Sequence, residues 1–295
     1  MDPLITTATS RDEQDRAARV AVLPIGSFEQ HGAFLPLITD TVVACLIARR
    51  ISADYGLFLL PPVTLSCSHE HSGFAGTVSV SAPTLAAVVS DVAESLQASS
   101  IDRLAIVNGH GGNYVLANVV QQANIAGPRM TVFPSRTDWE VARTAAGLVS
   151  TVSEDMHAGE LEVSLLLHGY PELVDDGYRR GDWEANPRPH LLVTGMRGYT
   201  DTGVIGSPSL ASADKGRAIL QKPCTVLQRP PRPAFVGCQR VVTLPMWMQR
   251  GCPASASPCL VCSLEASLPL QGGLRGGRPQ PSCAVSTTRY EAVES

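Results

Sequence analysis

The sequence is poor in the features that would place it in a membrane or on nucleic acid. No apolar run reaches the ~20 residues that a transmembrane helix needs. The first nineteen residues, MDPLITTATSRDEQDRAAR, are polar and charged and contain no apolar stretch of the signal-peptide kind. There is no basic stripe, and a net charge of −4 argues against a nucleic-acid partner. These absences predict a cytoplasmic protein that binds neither membrane nor nucleic acid. Cysteine is scarce through most of the chain: only Cys45 and Cys67 precede residue 222 of the 295. Cys67 has no obvious base partner in sequence, so a cysteine nucleophile is not expected.

The composition changes after Lys222. Residues 223–295 hold ten of the 22 Pro and six of the eight Cys, with no Lys or Asp. Seven Arg against three Glu put this tail at +4 and the rest of the chain at −8. Periodicity is lost as well, so residues 223–295 are expected to form a disordered tail foreign to the domain before it. Cys259 and Cys262 have the spacing of half a zinc site, but no second ligand pair stands at a usual distance. The domain organisation that follows is a polar lead over 1–19, one domain over 20–222, and the tail.

Within 20–222, short apolar runs alternate with helical patterns. Val20–Pro24, Leu57–Leu60, Arg103–Asn108 and Met130–Pro134 read as buried strands. Helices are expected over Thr41–Tyr55, from Pro83 to about Ser99, from about Asn113 to Ala126, and through Leu167, with a closing helix opening at Ser212. This alternation predicts an α/β fold: a three-layer α/β/α sandwich with a largely parallel sheet. Such sheets bind ligands beyond the carboxyl ends of their strands.

Polar residues of one chemistry follow those strands. Glu29 and His31 come just after the first, two positions apart, a spacing that turns both side chains to one face of an extended chain. Asp40 follows before the next helix, where it could equally be an N-cap. His110 follows the Arg103–Asn108 strand within Gly109-His110-Gly111-Gly112-Asn113. Carboxylate and imidazole together suit Zn²⁺, Mn²⁺ or Fe²⁺. Glu160 and Glu162 lie two apart on a helix, so only one of them can face a site on the rim.

Taken together, GSFEQHGAFLPLITDT, SHEHSGFAGTVSVS, VNGHGGN, DMHAGELEVS and TDTGVIGSPSLASADKG resemble the creatininase family of metal-dependent amidohydrolases, from about Val20 to Leu220. The resemblance implies two divalent ions per chain (Zn, Mn or Fe), hydrolysis of C–N amide bonds, and a homo-oligomer, commonly a hexamer. It implies Glu29, His31, Asp40 and His110 as metal ligands, with Asp40 bridging the ions. Creatininase itself carries a Glu where Gly112 stands here, so the fifth ligand falls to Glu162, with Glu160 as the fallback. His157 matches the family's active-site histidine, and Trp139 its substrate-covering tryptophan. A second tryptophan of creatininase is replaced by Ser153, which weakens the expectation of creatinine as substrate.

The chemistry asks for a polarised amide carbonyl and a water nucleophilic near neutral pH, which two divalent ions can supply. His157 is the first candidate to protonate the leaving nitrogen, followed by Glu160 or Glu162. Main-chain N–H groups of Gly111, Gly112 and Asn113 could hold the developing oxyanion, or Gly-Gly could simply permit a tight turn. Glu70 could contribute to a substrate loop; for His69 and His71 around it, a solvated loop is at least as good a reading. Three functions remain open on the sequence. They are a hydrolase of a small cyclic or linear amide, a mycofactocin-type peptidase trimming a short modified peptide, and a non-catalytic homologue.

Overall fold

The computed structural model describes residues 5–227. The expectations for 228–295, including the Cys259–Cys262 pair, lie outside the described residues.

A short helix α1, Ser10–Arg16, leads into strand β1, Val20–Ile25. Then come α2 (Thr39–Tyr55), β2 (Phe58–Leu59), α3 (Ala82–Ala98), β3 (Arg103–Asn108), α4 (Val115–Ala123) and β4 (Met130–Phe133). The chain finishes with α5 (Arg136–Ala146), α6 (Glu160–Gly169), α7 (Leu191–Thr194) and α8 (Ala213–Leu227). The four strands form one parallel sheet in the order β2-β1-β3-β4. β1 and β3 are central, and both are apolar almost throughout, as a sheet covered on both faces requires.

Alternation along the strands divides two cores. Val20, Val22, Ala105, Val107 and Phe133 pack with α2, α5, α6 and α8 on one face. Ala21, Leu23, Ile25, Leu104 and Ile106 pack with α3 and α4 on the other. This is the expected α/β/α sandwich. Differences are local. α2 starts at Thr39, so Asp40 lies inside its first turn and is not its N-cap; the cap is Ile38, with no side-chain cap bond. β2 is two residues long. α4 starts at Val115, two residues after Asn113, and α8 runs past Lys222 to Leu227.

The ends of β1 and β3 are locked to α2. Gly109, just past β3, sits so close to the Asp40 carbonyl that any side chain would collide with it. The start of α6 is held by Asp155, whose carboxylate accepts from the N–H groups of Glu160 (2.6 Å) and Leu161 (3.0 Å). Arg143 on α5 pairs with the same carboxylate at 2.8 Å, with both side chains buried. Removing one partner of such a pair strands a buried charge. Asp155→Ala should therefore cost about 3–5 kcal/mol, read from urea unfolding; a loss below ~1 kcal/mol would refute this anchoring role.

Candidate metal centre

The ends of the two central strands and two helix starts contribute to one buried cluster. Glu29 and His31 follow β1, Asp40 comes from α2, His110 follows β3, and Glu162 projects from the first turn of α6. His157 precedes α6 and is tied to the rim by paired main-chain hydrogen bonds with Ile205 (2.9 and 3.0 Å). Glu29, His31 and His157 are fully or nearly fully buried, as are Asp40 and His110.

The distances are those of groups gathered about a common centre. His110 Nδ1 lies 3.0 Å from Asp40 Oδ2 and 3.2 Å from Glu29 Oε1. His31 Nε2 lies 3.0 Å from Asp40 Oδ1 and 3.8 Å from Glu162 Oε2. Asp40 thus turns one oxygen to each histidine, and Ser27 Oγ donates to its Oδ2 at 2.7 Å. Ligand atoms converge in three overlapping groups: Glu29–Asp40–His110, His31–Asp40–Glu162, and Glu29–His31–His157.

The hydrogen bonds on the far side of each ring decide what these groups fit. His31 Nδ1 faces the Glu29 carbonyl at 3.0 Å, His110 Nε2 the Cys67 carbonyl at 2.8 Å, and His157 Nε2 the Gln30 carbonyl at 2.6 Å. A carbonyl only accepts, so each of these nitrogens donates. In the neutral rings, the opposite nitrogens offer lone pairs to the carboxylates. Both carboxylate oxygens of Glu29 are buried and, among the described residues, find no hydrogen-bond partner. Lone pairs facing carboxylates, with an orphaned carboxylate among them, are costly unless a cation or protons sit between. Imidazole and carboxylate donors fit Zn²⁺, Mn²⁺ or Fe²⁺. Far-side carbonyl partners of this kind orient metal-binding histidines.

Protons are the competing cations. Burial opposes a charged His31, but Asp40, Glu162 and Glu29 carry it up to about 9. Burial also opposes charge on His110, and Glu29 and Asp40 raise it well above the usual range. Burial raises Glu162 to about 8, against the pull of His31. Asp40, despite burial, is held well below the carboxylate range by His31 and His110. His157 goes the other way: burial, with His31 and His71 adding, keeps it well below its ordinary value and hence neutral.

Several expected residues sit elsewhere. Glu160 is turned from the cluster. It accepts from the N–H groups of Val149 and Ser150 (3.0–3.2 Å), from Ser150 Oγ, and from Lys215 Nζ at 2.5 Å. Its helical offset from Glu162 sends it to this structural cage, which corrects the expectation of a catalytic Glu160. Trp139 packs partly buried against the core face shared by α2 and α6, which corrects its expected place over the substrate. Asn113 is buried, and its amide ties Cys67 N–H (3.1 Å) to Asn108 (3.0 Å), while its own N–H faces the His110 carbonyl. It shapes the loop.

Gly111 and Gly112 line a cavity of about 530 Å³ with Glu70, Asp40, His110, His157 and Glu162. A Cβ built on Gly112 would collide with Glu70 Oε1, which lies 3.5 Å from His110 Nε2. The volume that a side chain at 112 would need is therefore taken by the Glu70 carboxylate. His71, weighed in the sequence as part of a solvated loop, is instead buried with Nε2 3.3 Å from Glu29 Oε1. Sequence reasoning passed over Gln30, whose carbonyl and amide both serve the cluster. The HEH pattern of residues 69–71 was the available signal for His71. Gln30 carried none.

A parallel sheet between two helical layers, with imidazoles and carboxylates gathered at its carboxyl rim, defines an α/β/α domain with a candidate metal centre. The creatininase family profile, described as creatinine amidohydrolase, matches residues 5–227. A mycofactocin precursor peptide peptidase of Mycobacterium ulcerans (strain Agy99) is 36% identical over 213 residues, which cover 67% of this chain and 78% of that protein. A creatinine amidohydrolase of Pseudomonas putida is 26% identical over 219 residues, covering 68% and 84%. Among solved structures, a mutant creatininase of Zn–Zn type shares the fold with a TM-score of 0.64 at 24% identity, over 76% of this chain and 95% of that one. The chain belongs to the creatininase family. It is a hydrolase of that family.

Two predictions follow from the geometry. Asp40→Ala removes the carboxylate that faces both histidines, and elemental analysis should find its metal content near zero; full occupancy would refute the cluster as the metal centre. Adding Zn²⁺ or Mn²⁺ to metal-free protein at about pH 7.5 should release protons, because His31 and Glu162, at about 9 and about 8, hold them there. The sign is fixed by both pKa values lying above those of the unfolded chain: these protons stabilise the metal-free fold at low pH, and that stability fades as pH rises through 8 to 9. Proton-neutral binding in an indicator-dye titration would contradict this.

Proposed function

We propose that the chain is a metal-dependent amidohydrolase that cleaves a C–N amide bond in a short, extended substrate, most simply a modified peptide. One observation carries this reading. The cavity at the cluster adjoins a second one of about 460 Å³, and the two share Glu70, Gly112 and Tyr114. The second runs past Cys67 and His69 to Thr194 and Arg197. A substrate with groups on both sides of its scissile bond can occupy both cavities, whereas a small cyclic amide needs only the first. Trp139 in the core and Ser153 on the cavity wall leave no tryptophan from these two positions to close over a small ring. The relative that acts on a mycofactocin precursor peptide supports the same reading.

Two divalent ions, when bound, would polarise the amide carbonyl and make water nucleophilic near neutral pH. Glu29, His31, Asp40, His110 and Glu162 would hold them. His157 keeps Nε2 engaged with the Gln30 carbonyl, so its Nδ1 is the atom free to take a proton and return it to the leaving nitrogen. Gly111 and Gly112 line the same cavity and would offer main-chain donors to the developing oxyanion, and Glu70 stands at the junction of the cavities, where it would meet the substrate. A homo-oligomer in the cytoplasm, hexameric as in the family, completes the proposal.

His157→Ala should keep its metal and lose about 10²–10⁴ in kcat. The substrate class is checked on the same preparation, comparing amide-capped and free short peptides with creatinine and small formamides. Peptide cleavage without creatinine turnover is expected. Higher kcat/KM for creatinine would return the choice to a small amide.

A further inference from the structure

Among the described residues four histidines are buried, and all four surround Glu29: His31, His71, His110 and His157. Three are oriented alike, with the far nitrogen donating to a main-chain carbonyl and the near nitrogen free to offer a lone pair. His71 is reversed. Its far nitrogen, Nδ1, lies 3.0 Å from the side-chain amide nitrogen of Gln30.

The orientation of that amide is over-determined. Gln30 Oε1 accepts from the main-chain N–H of Gly32 at 2.9 Å, and Nε2 donates to the Gly203 carbonyl at 2.9 Å. Neither partner could serve a reversed amide, since a main-chain N–H only donates and a carbonyl only accepts. The second hydrogen of Nε2 is therefore offered to His71 Nδ1, which accepts. A neutral imidazole that accepts at Nδ1 carries its proton on Nε2. That N–H is 3.3 Å from Glu29 Oε1.

We propose that Gln30 locks His71 as the one buried histidine that presents a proton to Glu29, making His71 a positioning donor for a metal-binding carboxylate and not itself a ligand. The proposal rests on the reading of Glu29 as a ligand. One residue then sets two opposite states: the Gln30 carbonyl leaves His157 Nδ1 bare, while the Gln30 amide leaves His71 Nε2 protonated. Without the lock, His71 could rotate its proton to Nδ1 and aim a lone pair into the centre, adding a nitrogen ligand and changing the metal's coordination. With it, His71 can only orient Glu29 and draw charge from it, as outer donors do at metal carboxylates.

Two measurements on the full chain test this. The first reads the ring tautomers of ¹⁵N-histidine protein by NMR, metal-free and zinc-loaded. His71 should show a protonated Nε2 in both forms, while His31, His110 and His157 keep their carbonyl-bound nitrogens protonated in the zinc form. A zinc-ligated or unprotonated Nε2 at His71 overturns the proposal. The second measures zinc affinity by chelator competition. His71→Phe should weaken binding by about 10–100-fold, and His71→Gln, which retains an N–H donor, should recover most of it. Unchanged affinity in a folded His71→Phe, or no recovery in a folded His71→Gln, overturns the positioning role. If His71→Phe fails to fold, the tautomer of the unaltered protein still decides. An unaltered chain that takes up no zinc would refute the metal centre, a failure distinct from a wrong His71 tautomer in a chain that binds it.

Discussion

The structure turns on a carboxylate that has no partner of its own. Glu29 is completely buried just past a central strand, and neither oxygen has a hydrogen bond of full geometry among the described residues, the His71 Nε2 standing off at 3.3 Å. Around it stand the ring nitrogens of His110, His71 and His157 at 3.2–3.7 Å. A buried, unpaired carboxylate is among the most expensive things a fold can contain. It persists where something positive sits beside it. Protons can meet that need, which is why His31 and His110 are pushed upward. A divalent cation meets it with more charge in the same space, and expels the protons as it does so. On the proposed reading the site would exchange one cation for another, and the cost of building it would be the source of its affinity.

The main chain aims this cluster more than the side chains do. Three carbonyls, of Glu29, Gln30 and Cys67, receive the far nitrogens of His31, His157 and His110. All three belong to segments leaving the sheet: the first two follow β1, and the third precedes the 3₁₀ turn of residues 69–71. Parallel strands end at the same rim, so residues eighty or more apart in sequence arrive together. α6 then delivers Glu162, held in register by Asp155 at its first turn. The metal chemistry and the fold share the same hydrogen bonds.

The legible parts of the sequence were those with position relative to a strand. Glu29, His31 and His110 stood out because apolar strands precede them, and Glu162 could be weighed against Glu160 because helical spacing separates their directions. Four features were missed or left ambiguous for physical reasons. His71 lies in a segment with no periodicity, where burial leaves no pattern in sequence. Gln30 acts through the direction of an amide, which only its partners Gly32, Gly203 and His71 reveal. Asp40, named as a ligand, could also be read as a cap because α2 was expected to start at Thr41. Trp139 carries equal apolar content in a lid or in a core, and packing alone chose the core.

Gly112 shows how the space beside a residue can hold what its side chain does not. The resemblance implies a carboxylate absent here, two residues after the histidine. The Glu70 carboxylate fills the volume that a side chain at 112 would enter and comes within 3.5 Å of His110 Nε2, the ring nitrogen turned away from the cluster. What a metal or a substrate meets is charge at a place, and Coulomb attraction is indifferent to which segment carries it. The source still matters mechanically. A side chain at 112 would sit on the tight loop after β3, whereas Glu70 sits on the wall between two cavities and touches both. With Gly111-Gly112 bare on the β3 loop, the first cavity adjoins the second at Glu70. Two adjoining cavities make a longer site, and a longer site is what an extended amide requires.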